Sequence, residues 1–184
     1  GMLLAMLINK KGIKLKKMYR TIFVSTIAVP QFVSLLIMSK MLDADGGIIT
    51  QWVNTLFHTK LLFGLDIMDT RICIVLVNMW IGVPYSMLMC SGILMNIPED
   101  LYESARIDGA SPVRQFCKIT LPYMLFVTGP YLITQFIGNI NNFNVIYLLS
   151  GGGPGHPTLY SDGAQGTDLL ITWLYKMSLG NDRN

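Results

Sequence analysis

Charged residues are scarce in this sequence. Only 14% of its 184 residues are Asp, Glu, Lys or Arg, whereas 52% are hydrophobic. A soluble domain carries about 25% charged residues. The sequence therefore predicts a chain that lies in a lipid bilayer, where each spanning helix needs about 20 apolar residues.

Cysteine and histidine are also rare. Cys73, Cys90 and Cys117 lie within or beside apolar runs without metal-ligand spacing, so we expect inert apolar side chains. His58 and His156 stand alone, and every carboxylate lies outside the apolar runs. A membrane enzyme would need a nucleophile, a metal cluster or a carboxylate pair facing a cavity. The sequence therefore predicts no catalytic residue, no metal site and no cofactor.

Three uncharged runs define candidate spans at about 21–41, 71–97 and 119–148. A fourth apolar segment, 1–9, is too short to span. It has no charged n-region or cleavage site, so we interpret it as the tail of a helix that begins upstream. The expectation is an all-α, polytopic membrane helix bundle, of which this chain is a single-domain fragment (1–184) that lacks N-terminal and C-terminal helices.

Positive charge concentrates in the loop 10–20, which holds six of the fourteen basic residues: Lys10, Lys11, Lys14, Lys16, Lys17 and Arg20. Basic loops beside spans are typically cytoplasmic. A nucleic-acid site is the alternative for such a patch. A basic loop between two apolar segments favours the topology signal, so we expect no nucleic-acid partner.

The other loops agree with this orientation. The segment 41–70 holds four aspartates against one lysine, and 141–168 holds no lysine or arginine, so both are expected outside. The loop 98–118 then falls in the cytoplasm. The segment 149–184 is predicted to be an external loop followed by an interfacial helix at 167–179, with Asp168 and Lys176 within reach of water.

Proline and glycine interrupt every predicted span, at Pro30, at Gly82 and Pro84, and at Pro122, Gly129 and Pro130. Such breaks persist in lipid where neighbouring helices or a wet cavity satisfy the freed backbone groups. The interpretation that these helices line a cavity and the alternative of ordinary kinked bundle helices both stay open.

Polar side chains fall on one face of each of the last two spans. With one glycine among them, they have the spacing i, i+4, i+7: Asn78, Gly82 and Tyr85, then Gln135, Asn139 and Asn142. Polar residues within spans are costly and indicate function. Interhelical hydrogen bonding is the alternative. A functional surface of this kind would suit a neutral, hydroxyl-rich solute, because no charge lies within the runs.

The loop 98–118 has the local chemistry of two short helices. Pro98 and two acids open the first, and Gly109 can close it with φ > 0. Ser111 can cap a second helix whose first residue is Pro112. A structured cytoplasmic loop suggests a docking element for a soluble partner, and a plain connection is the alternative.

This loop resembles the EAA loop of ABC importer permeases. Glu103-Ser104-Ala105, Gly109, Ile119 and Leu121-Pro122 match its spacing throughout, with Ser104 in place of the first alanine. The resemblance implies the fold of the type I ABC importer transmembrane domain and a coupling helix that docks an ATPase subunit. The docking residues would be Glu103, Ser104, Ala105, Asp108, Gly109 and Ala110.

Nearly the whole chain also resembles the larger permease of maltose and maltodextrin importers, in NMWIGVPYSM, NNFNVIYLLSGGGP and TDLLITWLYK. The resemblance implies a sugar site at Asn78, Ile81, Gly82, Tyr85, Gln135, Gly138, Asn139 and Asn142. Gln135 and Gly138 depart from the pattern, since a smaller hydroxyl and an aromatic are expected there. The identity of the sugar therefore stays open.

The resemblance further implies a multi-pass protein of the bacterial cytoplasmic membrane. Its partners would be ABC ATPase subunits that use the ATP, a second permease subunit and an extracytoplasmic solute-binding protein. The segment 151–154, Gly-Gly-Gly-Pro, would be a sharp exit from the membrane that contacts this binding protein.

Other functions remain as alternatives. A permease for glycerol phosphate esters or polyamines would carry a charged solute, which the uncharged spans disfavour. A passive channel or membrane anchor would leave the structured loop without a purpose.

Overall fold

The computed structural model describes residues 1–9, 15–155 and 163–180. The regular structure in these ranges is helical: α1 Met2–Asn9, α2 Lys16–Ala28, α3 Gln31–Met41, α4 Ile48–Phe57, α5 Ile67–Met95, α6 Glu99–Ile107, α7 Pro112–Gln115, α8 Leu121–Ile140, α9 Phe143–Leu149 and α10 Leu170–Gly180. A π-helical turn, Phe116–Thr120, joins α7 to α8. The all-α prediction is confirmed for these ranges. Lys10, Lys11, Lys14 and His156 lie outside the described residues.

Two helical stretches, Ile67–Met95 and Pro112–Leu149, are long and apolar enough to cross a membrane. The helices α2 and α3 meet the same test only when they are counted as one broken span. Pro30 lies at the break. A proline ring removes a backbone N–H and fixes φ, which interrupts a helix. The predicted span at 21–41 thus falls on two helices, and its crossing stays a prediction.

The third predicted span is interrupted at a residue that the sequence analysis placed on a continuous helix face. Helix α8 ends at Ile140, and Asn142 adopts ψ 77° as the N-cap of α9. Its side-chain Oδ1 accepts the backbone N–H of Val145, as Asn does at helix starts. Pro84 and Pro130, in contrast, lie inside α5 and α8 without ending them.

Contacts divide the chain into two compact units, and each is described by itself. The first unit comprises residues 1–28 and 81–136. Its core joins α1 to the later part of α5 and to α8 through Ala5, Ile8, Met87, Cys90, Ile93 and Met124. Asn9 ties the end of α1 to α5, because its Nδ2 donates to Ser91 Oγ over 3.1 Å.

The second unit comprises residues 29–80 and 137–184. Helix α3 packs on α9 around Leu35, Val145, Ile146 and Leu149, which are all buried. Ser39 Oγ donates to the carbonyl of Leu149 over 2.7 Å. Helix α4 lies in a segment for which the sequence analysis predicted only an external loop, and buried Thr50 fastens it by donating to the carbonyl of Leu42.

The structure corrects two expectations about side-chain environments. Asp168 was expected within reach of water, but its side chain is only 2% exposed and forms an ion pair with Lys176. Cys73 and Cys90 are buried as expected, whereas Cys117 is exposed. The interfacial helix predicted at 167–179 corresponds to α10, and its position at a membrane surface stays a prediction.

Candidate functional site

The first candidate site is the loop 98–118 in the first unit. Pro98 is the N-cap of α6, and Glu99 and Asp100 fill the first turn, where acids favour the helix dipole. The helix ends in a Schellman motif: Gly109 N donates to Arg106 O, and Ala110 N donates to Ala105 O over 2.8 Å. Gly109 has φ +74°, as predicted.

A second short helix follows at once. Ser111 is the N-cap of α7, its Oγ accepts the backbone N–H of Arg114, and Pro112 is the first helical residue. These predictions are confirmed. Gln115 Nε2 donates to Ala110 O over 2.8 Å, so α7 is fixed to the end of the Schellman turn.

The two short helices are also fastened at their far ends. Tyr102 OH lies 2.8 Å from Thr120 Oγ1, which joins α6 to the π-helical turn. This contact and the Gln115 bond together hold the loop as a helical hairpin. The loop is therefore a structured element and not a plain flexible connection.

A cleft of about 260 Å³ lies within this hairpin. Its lining combines small side chains with both signs of charge: Ala105, Asp108, Ala110, Arg114, Gln115, Lys118 and Ile119. Four of these positions belong to the EAA resemblance. Ala105, Asp108 and Ala110 are predicted docking residues, and Ile119 is part of the motif. The cleft is therefore small, and charges of both signs line it.

The predicted docking residues lie on the surface of the hairpin. Glu103, Ser104, Asp108 and Gly109 are exposed, and Ala105 and Ala110 are partly exposed. The sequence analysis missed Ile107, which is 87% exposed, and Val113, which is 73% exposed. Each is an apolar residue close to the glycine turn in an otherwise polar loop, and that contrast was visible in the sequence.

The second candidate site is a chain of amides in the second unit. Asn78 Nδ2 on α5 donates to Asn139 Oδ1 on α8 over 2.7 Å. Asn142 Nδ2 donates to Asn78 Oδ1 over 3.1 Å. Three residues predicted from helical spacing are thus brought together, and we call them the amide cluster. Gly138 lies beside Asn139 with open space where a Cβ would stand.

The remaining predicted sugar residues, Ile81, Gly82, Tyr85 and Gln135, belong to the first unit. Tyr85 is 52% exposed, and its ring centre lies 5.8 Å from that of Tyr131. Ser86 Oγ lies 3.1 Å from Tyr131 OH. The sequence analysis missed Ser86 and Tyr131, although Tyr131 lies four residues before Gln135 and so on the same face of α8.

The carboxamides of the amide cluster are neutral and polar. The carboxamide of Asn78 offers two donor hydrogens and two acceptor lone pairs, and the bonds to Asn139 and Asn142 use one of each. A hydroxyl group both donates and accepts. One donor hydrogen and one acceptor lone pair of Asn78 are therefore not used by these two bonds.

Membrane helices with a structured polar loop and with carboxamides inside apolar segments are typical of transport proteins, and the comparison with protein families agrees. The chain belongs to the family of binding-protein-dependent transport system inner membrane components, whose model matches residues 1–177. It is therefore a membrane protein of the ABC permease family. This membership confirms the resemblance predicted from the loop.

Individual relatives carry sugar-permease names. The galactooligosaccharides transport system permease protein GanP of Bacillus subtilis is 39% identical over 180 residues, which cover 97% of this chain and 42% of GanP. The maltose/maltodextrin transport system permease protein MalF of Klebsiella aerogenes is 38% identical over 178 residues, which cover 97% of this chain and 34% of MalF. The chain thus spans well under half the length of these relatives.

A solved structure shares the fold. It is that of a bacterial ABC transporter involved in the import of the acidic polysaccharide alginate, and its similarity has a TM-score of 0.75 at 22% identity. The match covers 99% of this chain and 61% of the other. The predicted ABC importer transmembrane fold is confirmed. The roles assigned to individual site residues stay predictions.

Proposed function

We propose that this chain forms part of the membrane-spanning permease of an ATP-driven carbohydrate importer. The observation that carries the proposal is the amide cluster, a neutral polar site on helices that are otherwise apolar. The names of GanP and MalF, which refer to galactooligosaccharides and to maltose and maltodextrin, support a carbohydrate as the solute.

Charge favours a neutral solute over the charged alternatives. The runs 72–97 and 119–160 contain no Asp, Glu, Lys or Arg. A polyamine or a glycerol phosphate ester would lose its hydration among groups that offer no opposite charge, and that transfer is costly. A neutral oligosaccharide exchanges hydrogen bonds with water for hydrogen bonds with carboxamides and hydroxyls.

The energy for transport would enter through the hairpin at 98–118. An ABC ATPase subunit would receive α6 and the glycine turn, with Glu103, Ser104, Ala105, Asp108, Gly109 and Ala110 at the contact. Exposed Ile107 and Val113 support this assignment, because apolar residues on a polar rim are typical of protein interfaces. The chain itself would hydrolyse no ATP.

The complete transporter would be a multi-pass assembly in the bacterial cytoplasmic membrane. It would contain a second permease subunit, and an extracytoplasmic solute-binding protein would deliver the sugar. The segment 151–154 is a candidate contact for that binding protein.

Uptake into proteoliposomes tests the proposal. The transporter that contains this chain is reconstituted with its binding protein and with ATP inside. Labelled maltooligosaccharides and galactooligosaccharides are offered beside spermidine and glycerol 3-phosphate. We expect ATP-dependent uptake of an oligosaccharide. Uptake of a charged solute instead, or uptake that continues without ATP, would contradict the proposal and favour another permease or a passive channel.

A further inference from the structure

The second unit contains a set of contacts among the segment 150–154, the segment 165–168 and α10, which we call the clasp. Lys176 Nζ lies 2.9 Å from both carboxylate oxygens of Asp168 and donates to Gln165 Oε1 over 3.2 Å. Thr172 Oγ1 donates to Asp168 Oδ1 over 2.9 Å. Gly152 packs so closely that a Cβ there would collide with the Asp168 carboxylate and the Lys176 ammonium.

The clasp is also fastened through its backbone. Thr167 Oγ1 donates to Gly153 O over 2.6 Å, and Thr167 N donates to Gly152 O over 3.0 Å. Arg71, in the first turns of α5, donates from Nη2 to Gly166 O over 2.7 Å. The clasp therefore joins the triple-glycine segment, α10 and the start of α5.

An aromatic cluster connects the clasp to α9. Tyr175 is the neighbour of Lys176 on α10, and its ring meets Phe143 and Tyr147 edge-on at centroid distances of 5.0 and 5.3 Å. The rings of Phe143 and Tyr147 stack on each other at 5.0 Å. Edge-to-face and stacked pairs of this kind add to the stabilisation from burial, so α10 supports α9 alongside α3.

Helix α9 begins at the amide cluster, and α5 connects the amide cluster back to the clasp. Asn142 both caps α9 and donates to Asn78. Asn78 lies seven residues after Arg71, on the same face of α5. The contacts thus run from the clasp through α10 and α9 to the amide cluster, and back along α5 to the clasp.

We propose that Lys176 is a positioning residue whose ion pair with Asp168 sets the alignment of Asn142 with Asn78, and hence the affinity of the amide cluster for its solute. This inference rests on the proposed carbohydrate function. Without Lys176 the buried carboxylate of Asp168 loses its cation, and a buried charge without its partner is strongly unfavourable. The clasp then opens, and α9 loses the support of Tyr175. Coupling through such packed contacts is expected where each element has a second arrangement.

The test compares KM and kcat for uptake by the reconstituted transporter. We expect Lys176→Met to raise KM for the oligosaccharide at least about fivefold, the lower end of typical coupling between sites, with kcat within about twofold. Lys176→Arg should restore most of the affinity. Lys60→Met removes an exposed lysine of the same unit and should change neither constant.

A double variant separates positioning from general damage. If Lys176 acts through Asn142, adding Asn142→Ala to Lys176→Met should raise KM no further than Asn142→Ala alone. Independent, multiplying effects would overturn the inference, as would a normal KM in Lys176→Met. Should Lys176→Met fail to assemble, the double variant Lys176→Met/Asp168→Asn, which leaves no buried charge without its partner, decides the question by the same criteria.

Hydrogen exchange gives a readout that needs no solute. Lys176→Met should speed exchange of the amides of α9, residues 143–149, relative to Lys60→Met, because local opening becomes easier. Unchanged exchange would overturn the inference. If the unmodified transporter takes up no carbohydrate, the proposed function fails, and the exchange result still decides whether the clasp positions α9.

Discussion

Asn78 and Asn139 are 61 positions apart in the sequence, yet their carboxamides share a hydrogen bond of 2.7 Å. The bond joins α5 to α8 in the same unit. It shows that one residue from each of the two predicted polar faces meets its counterpart there. Both interpretations of these residues stay open, because a hydrogen bond between carboxamides on two helices holds the helices together and also presents polar groups to a solute.

Paired leucine substitutions separate the structural interpretation from the solute-binding interpretation. Asn139→Leu alone removes one bond of Asn78, whereas Asn78→Leu alone removes the bonds of both Asn139 and Asn142. Each lost bond costs about 0.6 kcal/mol and up to about 1.7 between membrane helices. The double variant Asn78→Leu/Asn139→Leu should therefore yield more assembled transporter than Asn78→Leu alone, measured by size-exclusion chromatography, because only Asn142 then lacks its bond to Asn78. Uptake of the oligosaccharide should stay low in all three. Normal uptake in the double variant would show that these amides have only a structural role.

Gly109 tests the shape of the hairpin. Its φ of +74° suits glycine, and a Cβ there would meet nothing within 4 Å. Gly109→Val therefore costs about 1–2 kcal/mol from the backbone conformation alone, and it should disrupt the turn and reduce ATP-driven uptake. Gly109→Asn is the matched control, because asparagine tolerates this conformation, and it should keep most of the uptake. Equal activity in both variants would contradict the assignment of the turn.

Ile107 tests the proposed ATPase contact. Ile107→Ser removes an apolar side chain that is 87% exposed, so it should leave the permease fold intact and weaken retention of the ATPase during purification. Most contact residues contribute less than about 1 kcal/mol, and a hot-spot residue contributes about 2 kcal/mol or more. Ile48→Ser, at a residue 60% exposed in the segment predicted outside, should retain the ATPase fully. The same ATPase yield from both variants would argue against docking at Ile107.

Neighbouring glycines in the clasp allow a steric test. Gly151 and Gly152 both have positive φ, at 62° and 86°, but only Gly152 has no room for a Cβ. Gly151→Ala should lower stability by about 1–2 kcal/mol through strain alone, and Gly152→Ala should lower it clearly more. The midpoint of heat-induced aggregation of the purified transporter measures the difference. Equal midpoints would show that Gly152 is not packed against Asp168.

Local chemistry explains which predictions succeeded. The caps at Pro98 and Ser111 and the turn at Gly109 depend on residues within one or two helical turns, so the sequence alone identified them. Pro30 likewise breaks a helix where expected. Pro84 and Pro130 do not, because neighbouring groups decide whether a helix continues through a proline.

Contacts between distant segments could not be read from spacing. Asp168 and Lys176 had the composition of a wet surface helix, and the structure instead buries the carboxylate against the ammonium and the triple-glycine segment. Asn142 fitted the helical period of α8, but it caps α9 because its side chain satisfies a backbone N–H there.

Co-purification tests the central claim most directly. The tagged permease that contains this chain is solubilised from its native membrane, and every accompanying chain is identified by mass spectrometry. The account predicts an ABC ATPase subunit and a second permease subunit, both retained by the unmodified protein, with the ATPase reduced in Gly109→Val. An intact, folded permease that is recovered without any ATPase would contradict the account and favour a channel or an anchor.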